Sequence, residues 1–124
     1  MATKFLGLRT VGYKVADIDA AKAWYTKVLG VEPYFDMPFY VGYNVAGYEL
    51  GLKPDEDGTE VKTNNVVTYW GVENLQTCYD ELLADGAKAH GAPMDVGEGI
   101  IVASVLDPWG NTFGIIYNPY FKLD

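Results

Sequence analysis

The chain carries the same pattern twice. Residues 10–25, TVGYKVADIDAAKAWY, lie over residues 67–83, VTYWGVENLQTCYDELL, at an offset of 57. Val11, Tyr13 and Val15 then meet Thr68, Trp70 and Val72, an alternation that predicts a strand with two distinct faces. Asp17 and Asn74 follow where a side-chain oxygen would cap a helix, and Ile18, Ala21 and Tyr25 meet Leu75, Cys78 and Leu82 at helical spacing. Gly30 and Gly86 stop the two helices, one residue out of step. A second overlay, at an offset of 65, sets GYELGLKP (residues 47–54) on TFGIIYNP (residues 112–119), so that Leu50, Leu52 and Pro54 meet Ile115, Tyr117 and Pro119. Each half thus closes on a short apolar strand ended by proline, preceded by strand-like YVGYNVAG in one and GIIVASVL in the other. Turns are expected at Ala46-Gly47 and at Asp107-Pro108-Trp109-Gly110.

The plan this predicts is an α+β fold of two βαβββ modules, about residues 5–54 and 65–119, joined by an exposed polar linker at about 55–64, all within one domain of residues 1–124. A four-stranded sheet with a helix on one side leaves its other face bare, so pairing two such sheets buries both inner faces and forms a cleft.

Composition narrows what could enter that cleft. Seventeen acids against nine bases give a formal charge of −8, which disfavours nucleic acid and anionic membrane surfaces and suits neutral or cationic partners. The lone cysteine, Cys78, forms no internal disulfide, and no N-terminal basic-then-apolar run marks export, so a cytoplasmic protein is expected. Aromatic residues, at 15% of the chain, exceed what a small core needs, and some of the rings are expected to line a pocket or an interface.

At VADIDAAKAWYTKVLGV (residues 15–31) and DPWGNTFGI (residues 107–115) the chain resembles the vicinal oxygen chelate superfamily, the glyoxalase, bleomycin resistance and extradiol dioxygenase fold. The resemblance runs from about residue 8 to residue 119. In metal-dependent members it implies ligands on the first and last strand of each module. Carried over residue by residue, those positions fall on Thr10 and Glu49, then Val67 and Gly114. Of these only Glu49 binds a divalent ion well, so no metal and no other cofactor is expected. The resemblance is nearest in character to the bleomycin resistance branch. It implies a small homodimer that sequesters a planar aromatic or cationic antibiotic or metabolite. The alternative it leaves open is a lyase, isomerase or dioxygenase with displaced metal ligands or with Glu49 as base.

The ring-bearing and polar residues expected to meet a ligand are Tyr13, Phe35, Phe39, Tyr43, Glu49, Tyr69, Trp70, Trp109 and Phe113, walls suited to stacking and cation–π attraction. YFDMPFY, residues 34–40, reads as an irregular lip over the cleft, and the C-terminal YFKLD as part of a dimer contact. His90 reads as a solvated loop residue, Cys78 as a small buried apolar one and the DEDG run (residues 55–58) as a solvated loop.

Overall fold

The computed structural model describes residues 3–56, 58, 61–62 and 65–121, which leaves half of the expected linker and the last three residues of YFKLD outside it. The chain divides into two compact units, Met1–Glu60 and Val61–Asp124, each with one four-stranded sheet and one helix.

In the first unit the order is β1 (Thr10–Val15), α1 (Ile18–Leu29), β2 (Phe35–Met37), β3 (Tyr40–Val45) and β4 (Tyr48–Pro54). The sheet runs β1-β4-β3-β2, with β1 parallel to β4 and the other pairs antiparallel. The Asp17 carboxylate caps α1 by accepting from Ala20 N at 3.1 Å. Gly30, at φ 71°, ends it with its N–H on Thr26 O. The helix lays Ala21 and Tyr25 against one sheet face, where Val15, Val41, Tyr43, Leu50 and Leu52 complete the core. Burying aliphatic side chains of that size contributes on the order of 1.5–3 kcal/mol each. Ala46 and Gly47, both at positive φ, make the tight turn from β3 to β4, and Asn44 Oδ1 accepts from Gly47 N at 2.8 Å.

The expected irregular lip is instead a hairpin. Phe35–Met37 pairs antiparallel with β3, Phe35 opposite Gly42 and Met37 opposite Tyr40, so the backbone of YFDMPFY has ladder partners on both sides of its turn. Lys22 on α1 holds this short edge strand by an exposed ion pair to Asp36 Oδ2 at 3.0 Å.

The second unit repeats the plan with β5 (Tyr69–Gly71), α2 (Leu75–Ala84), β6 (Lys88–Asp95), β7 (Ile101–Leu106) and β8 (Thr112–Tyr117), in the sheet order β5-β8-β7-β6. Asn74 caps α2 by accepting from Thr77 N. The turn from β7 to β8 is built on the Asp107 carboxylate, only 1% exposed, which accepts from Trp109 N, Asn111 N and Asn111 Nδ2 at 2.8–2.9 Å. Three donors on one buried carboxylate explain why aspartate opens DPWGN.

Two expectations change here. His90 lies in β6, not in a loop, and its Nδ1 sits 2.8 Å from Ser104 Oγ on β7. The ladder shifts register on either side of Gly91, an irregularity that periodicity alone does not reveal. The offset of 57 also fails for the first strand. Thr10 pairs with Glu49 and Tyr69 with Gly114. The counterpart of Thr10 is therefore Tyr69, two residues beyond Val67. The caps remain at Asp17 and Asn74, so the stretch from Tyr69 to its cap, strand included, is two residues shorter than that from Thr10 to its cap.

Candidate functional site

Alternation divides the first sheet cleanly. Val11, Tyr13, Val15, Val41, Tyr43, Leu50 and Leu52 face α1, and the opposite face carries Thr10, Gly12, Tyr40, Gly42, Glu49 and Gly51. On this open face a single carboxylate gathers three hydroxyls. Thr10 Oγ1, directly across the parallel pair, donates to Glu49 Oε1 at 2.7 Å. The Tyr34 hydroxyl donates to Glu49 Oε2, and the Tyr40 hydroxyl lies against both Thr10 and the same carboxylate.

Glycines make this convergence possible. A methyl group on Gly42 would lie 2.8 Å from Glu49 Oε2 and 3.0 Å from the Tyr34 ring, and one on Gly51 would strike the Tyr40 hydroxyl. Both glycines sit in mid-strand, directly opposite each other, so two tyrosine rings lie flat on bare backbone and reach one acid. Phe35 and Phe39 extend the apolar border, with ring centroids 6.3 Å apart at 67°, and Phe35 lies 6.1 Å from Tyr40. Tyr34 is 63% exposed and Phe39 61%, so the rings are available to a guest.

The electrostatic consequence is one-sided. The bonds from Thr10 and then Tyr34 hold the Glu49 carboxyl below its usual range, against a smaller opposing effect of burial. The Tyr34 phenol is raised chiefly by its bond to Glu49, and that of Tyr40 first by burial and then by the same carboxylate. Because the folded carboxyl titrates below its unfolded value of about 4.5, the cluster's contribution to stability is complete above that pH and is lost as pH falls through the depressed value. Acid-side stability of wild type, followed by circular dichroism, is expected to fall more steeply there than in Glu49→Gln.

The corresponding place in the second module is closed. A Cβ on Gly114 would lie 2.6 Å from Thr68 O, 2.8 Å from the Tyr69 ring and 3.0 Å from a Val67 methyl. The ring of Tyr69 and the Val67 side chain occupy the space a ligating side chain would need. Tyr69 itself is 45% exposed. Two surface depressions of about 570 and 430 Å³ lie elsewhere in this module, around Glu73 and Tyr117, and gather no comparable polar cluster.

The family's divalent ion does not fit the donors present. In the first module the one carboxylate is engaged by a hydroxyl donor on each oxygen, and its first-strand neighbour Thr10 directs its proton at that acid. In the second, Gly114 offers no ligating atom, and Tyr69, the counterpart of Thr10, brings only a phenol hydroxyl. Among the described residues no three His, Cys, Asp or Glu come together.

Of the residues expected to form the site, Phe35, Phe39 and Glu49 converge on the first sheet, and Tyr69 shares the corresponding open face of the second. Tyr13 and Tyr43 do not belong to it. Tyr13 stacks on Tyr25 of α1 at 6.1 Å, and Tyr43 donates to Lys22 O and meets Thr26 Oγ1, both at 2.9 Å, because their strand parity turns them toward the helix. Trp70 and Phe113 are placed likewise: they share the helix-side face with Ile115 and stack on each other at 6.4 Å. Trp109 is half-buried in the β7–β8 turn. Tyr34 and Tyr40 were missed as ligand residues, although a glycine in the middle of each neighbouring strand signalled a close approach. Cys78 is half-buried, and burial raises its thiol.

Among the described residues no helix is long and apolar enough to cross a membrane. A search of curated proteins finds no match. Solved structures share the fold at low identity. A glyoxalase-related enzyme from Fulvimarina pelagi has a TM-score of 0.76 at 19% identity, over 97% of this chain and 94% of that one. A lactoylglutathione lyase from Agrobacterium tumefaciens has a TM-score of 0.75 at 16% identity, over 98% and 100%. TioX from Micromonospora sp. ML1 has a TM-score of 0.67 at 15% identity, over 90% and 98%. The model of the glyoxalase/bleomycin resistance protein/dioxygenase superfamily matches residues 7–115, nearly the whole of both modules, and the chain belongs to that superfamily.

Proposed function

We propose that the chain is a metal-independent small-molecule binding protein that holds a flat, neutral or cationic guest on the open face of the first sheet. The observation that carries this reading is the Glu49 cluster: an ionised acid, braced by Thr10, Tyr34 and Tyr40 and bordered by Phe35 and Phe39. A carboxylate so placed attracts positive charge, and exposed rings beside it stack on a planar guest. The same geometry weighs against Glu49 as a general base, since hydrogen bonds that depress a carboxyl's pKa also weaken its pull on a substrate proton.

The test is a fluorescence titration with 9-aminoacridine, a planar cation at neutral pH. Affinity is expected to fall by roughly ten-fold or more in Glu49→Gln, the scale of one lost charged hydrogen bond, and to be indifferent to EDTA. Equal affinity in the two proteins would remove Glu49 from the site, and loss of binding on chelation would restore a metal to it.

A further inference from the structure

The proton inventory of the Glu49 cluster says more about the guest than its charge does. Each hydroxyl has one proton to give. Thr10 and Tyr34 spend theirs on Glu49 Oε1 and Oε2, and the hydroxyl of Tyr40 lies against both Thr10 and the carboxylate, so its one proton is also turned into the cluster. What the cluster has left to show an incoming molecule is lone pairs: those on the three hydroxyl oxygens and the unused capacity of the carboxylate. The amides of Gly42 and Gly51 do not add donors, because both glycines are paired within the sheet.

We infer that this array of acceptors selects a guest that brings several N–H donors, an amidinium, guanidinium or protonated amino-heteroaromatic group. It rejects anions and pairs of neighbouring carbonyl or hydroxylate oxygens. The inference rests on the binding face proposed above and deepens it. An anion approaching Glu49 would find no proton unless a hydroxyl abandoned the carboxylate, and would then lie beside a second negative charge. A quaternary ammonium satisfies the charge but leaves the lone pairs unbonded. A planar, fork-shaped donor satisfies both at once.

Lys14 and Lys53 lie on the same face. They pair with each other four residues along β1 and β4 from Thr10 and Glu49, which at about 3.3 Å per residue places their backbone roughly 13 Å away. The Lys53 stem crosses above Gly12, 3.8 Å from where a methyl group would be. Arg9, next to Thr10, turns its guanidinium to Leu6 O at 2.8 Å, and Lys22 and Asp36 pair with each other on the helix side.

Benzamidinium, phenyltrimethylammonium and benzoate share one ring and differ in what they offer the cluster. Each is titrated into ¹⁵N-labelled protein, with shifts read at the Tyr40, Gly42 and Gly51 amides and repeated in Glu49→Gln. Benzamidinium is expected to shift those amides and to bind about ten-fold or more tighter than phenyltrimethylammonium, with no response to benzoate and loss of the benzamidinium response in Glu49→Gln. Benzoate shifting the same amides, or phenyltrimethylammonium binding within about two-fold of benzamidinium, would overturn the donor requirement while leaving the binding face in place. Benzamidinium that shifts none of these amides at millimolar concentration, or shifts them equally in Glu49→Gln, would overturn the face and the donor requirement together.

Discussion

Tyr43→Ala is expected to destabilise the protein by about 3–5 kcal/mol, the cost of removing a large buried ring and leaving a cavity. Tyr43 is 0% exposed, and its hydroxyl bonds both Lys22 O and Thr26 Oγ1 on α1. Tyr43→Phe keeps the ring and should cost only about 1–2 kcal/mol, since it removes the hydroxyl and its two bonds together. Urea denaturation of both variants separates the two contributions. For a domain of this size, with about 5–15 kcal/mol to lose, the alanine variant is near the edge of folding at physiological temperature. If Tyr43→Ala instead weakened ligand binding with little change in the denaturation midpoint, its ring would belong to the site and the assignment of sheet faces would be wrong.

Gly114→Ala is the second large effect. The added methyl group meets a backbone carbonyl, Thr68 O, at 2.6 Å, and that carbonyl already accepts from Gly114 N at 3.0 Å. Backbone cannot turn aside as a flexible side chain can, so β5 must move from β8, with an expected loss of about 2–3 kcal/mol by overpacking. Gly114→Glu, which restores a carboxylate at the family's last-strand position, should destabilise at least as much. It should also leave the protein without stoichiometric zinc or nickel by elemental analysis, because Thr10 and Tyr69 add no strong ligand. A stable, metal-loaded Gly114→Glu protein would show that the seat had been emptied by a single change. Gly51→Ala offers a contrast in kind, since what it strikes is the Tyr40 side chain and not backbone.

The order of elements was legible because each is written locally: Asp17 and Asn74 as caps, Gly30 as a stop, Ala46-Gly47 and DPWGN as turns. Which rings meet a guest was less so. Tyr13 and Tyr43 have the composition of binding residues, but their place is fixed by strand parity relative to a helix several residues away, and Trp70 and Phe113 follow the same rule. Glu49 was found because it stands alone at a ligand position. Its partners Tyr34 and Tyr40 were hidden because their contact with it depends on cross-strand register, the Tyr34 ring beside Gly42 and the Tyr40 ring reaching over Gly51 of the neighbouring strand, and no spacing along one strand encodes that. His90 was misplaced for a related reason: glycine, alanine and proline in β6 read as loop, while the ladder with β7 supplies the pairing.

The shorter stretch from Tyr69 to the Asn74 cap has a bearing on how such a doubled molecule can diverge. Two residues is one full pleat, so Tyr69 points to the same side of its sheet as Thr10 does of the other despite the deletion. Loss of one residue there would have sent Trp70 outward and Tyr69 beneath the helix. Viable insertions and deletions in this connection should therefore come in even numbers, a parity rule that sequences of duplicated modules of this kind would carry as a record of their descent.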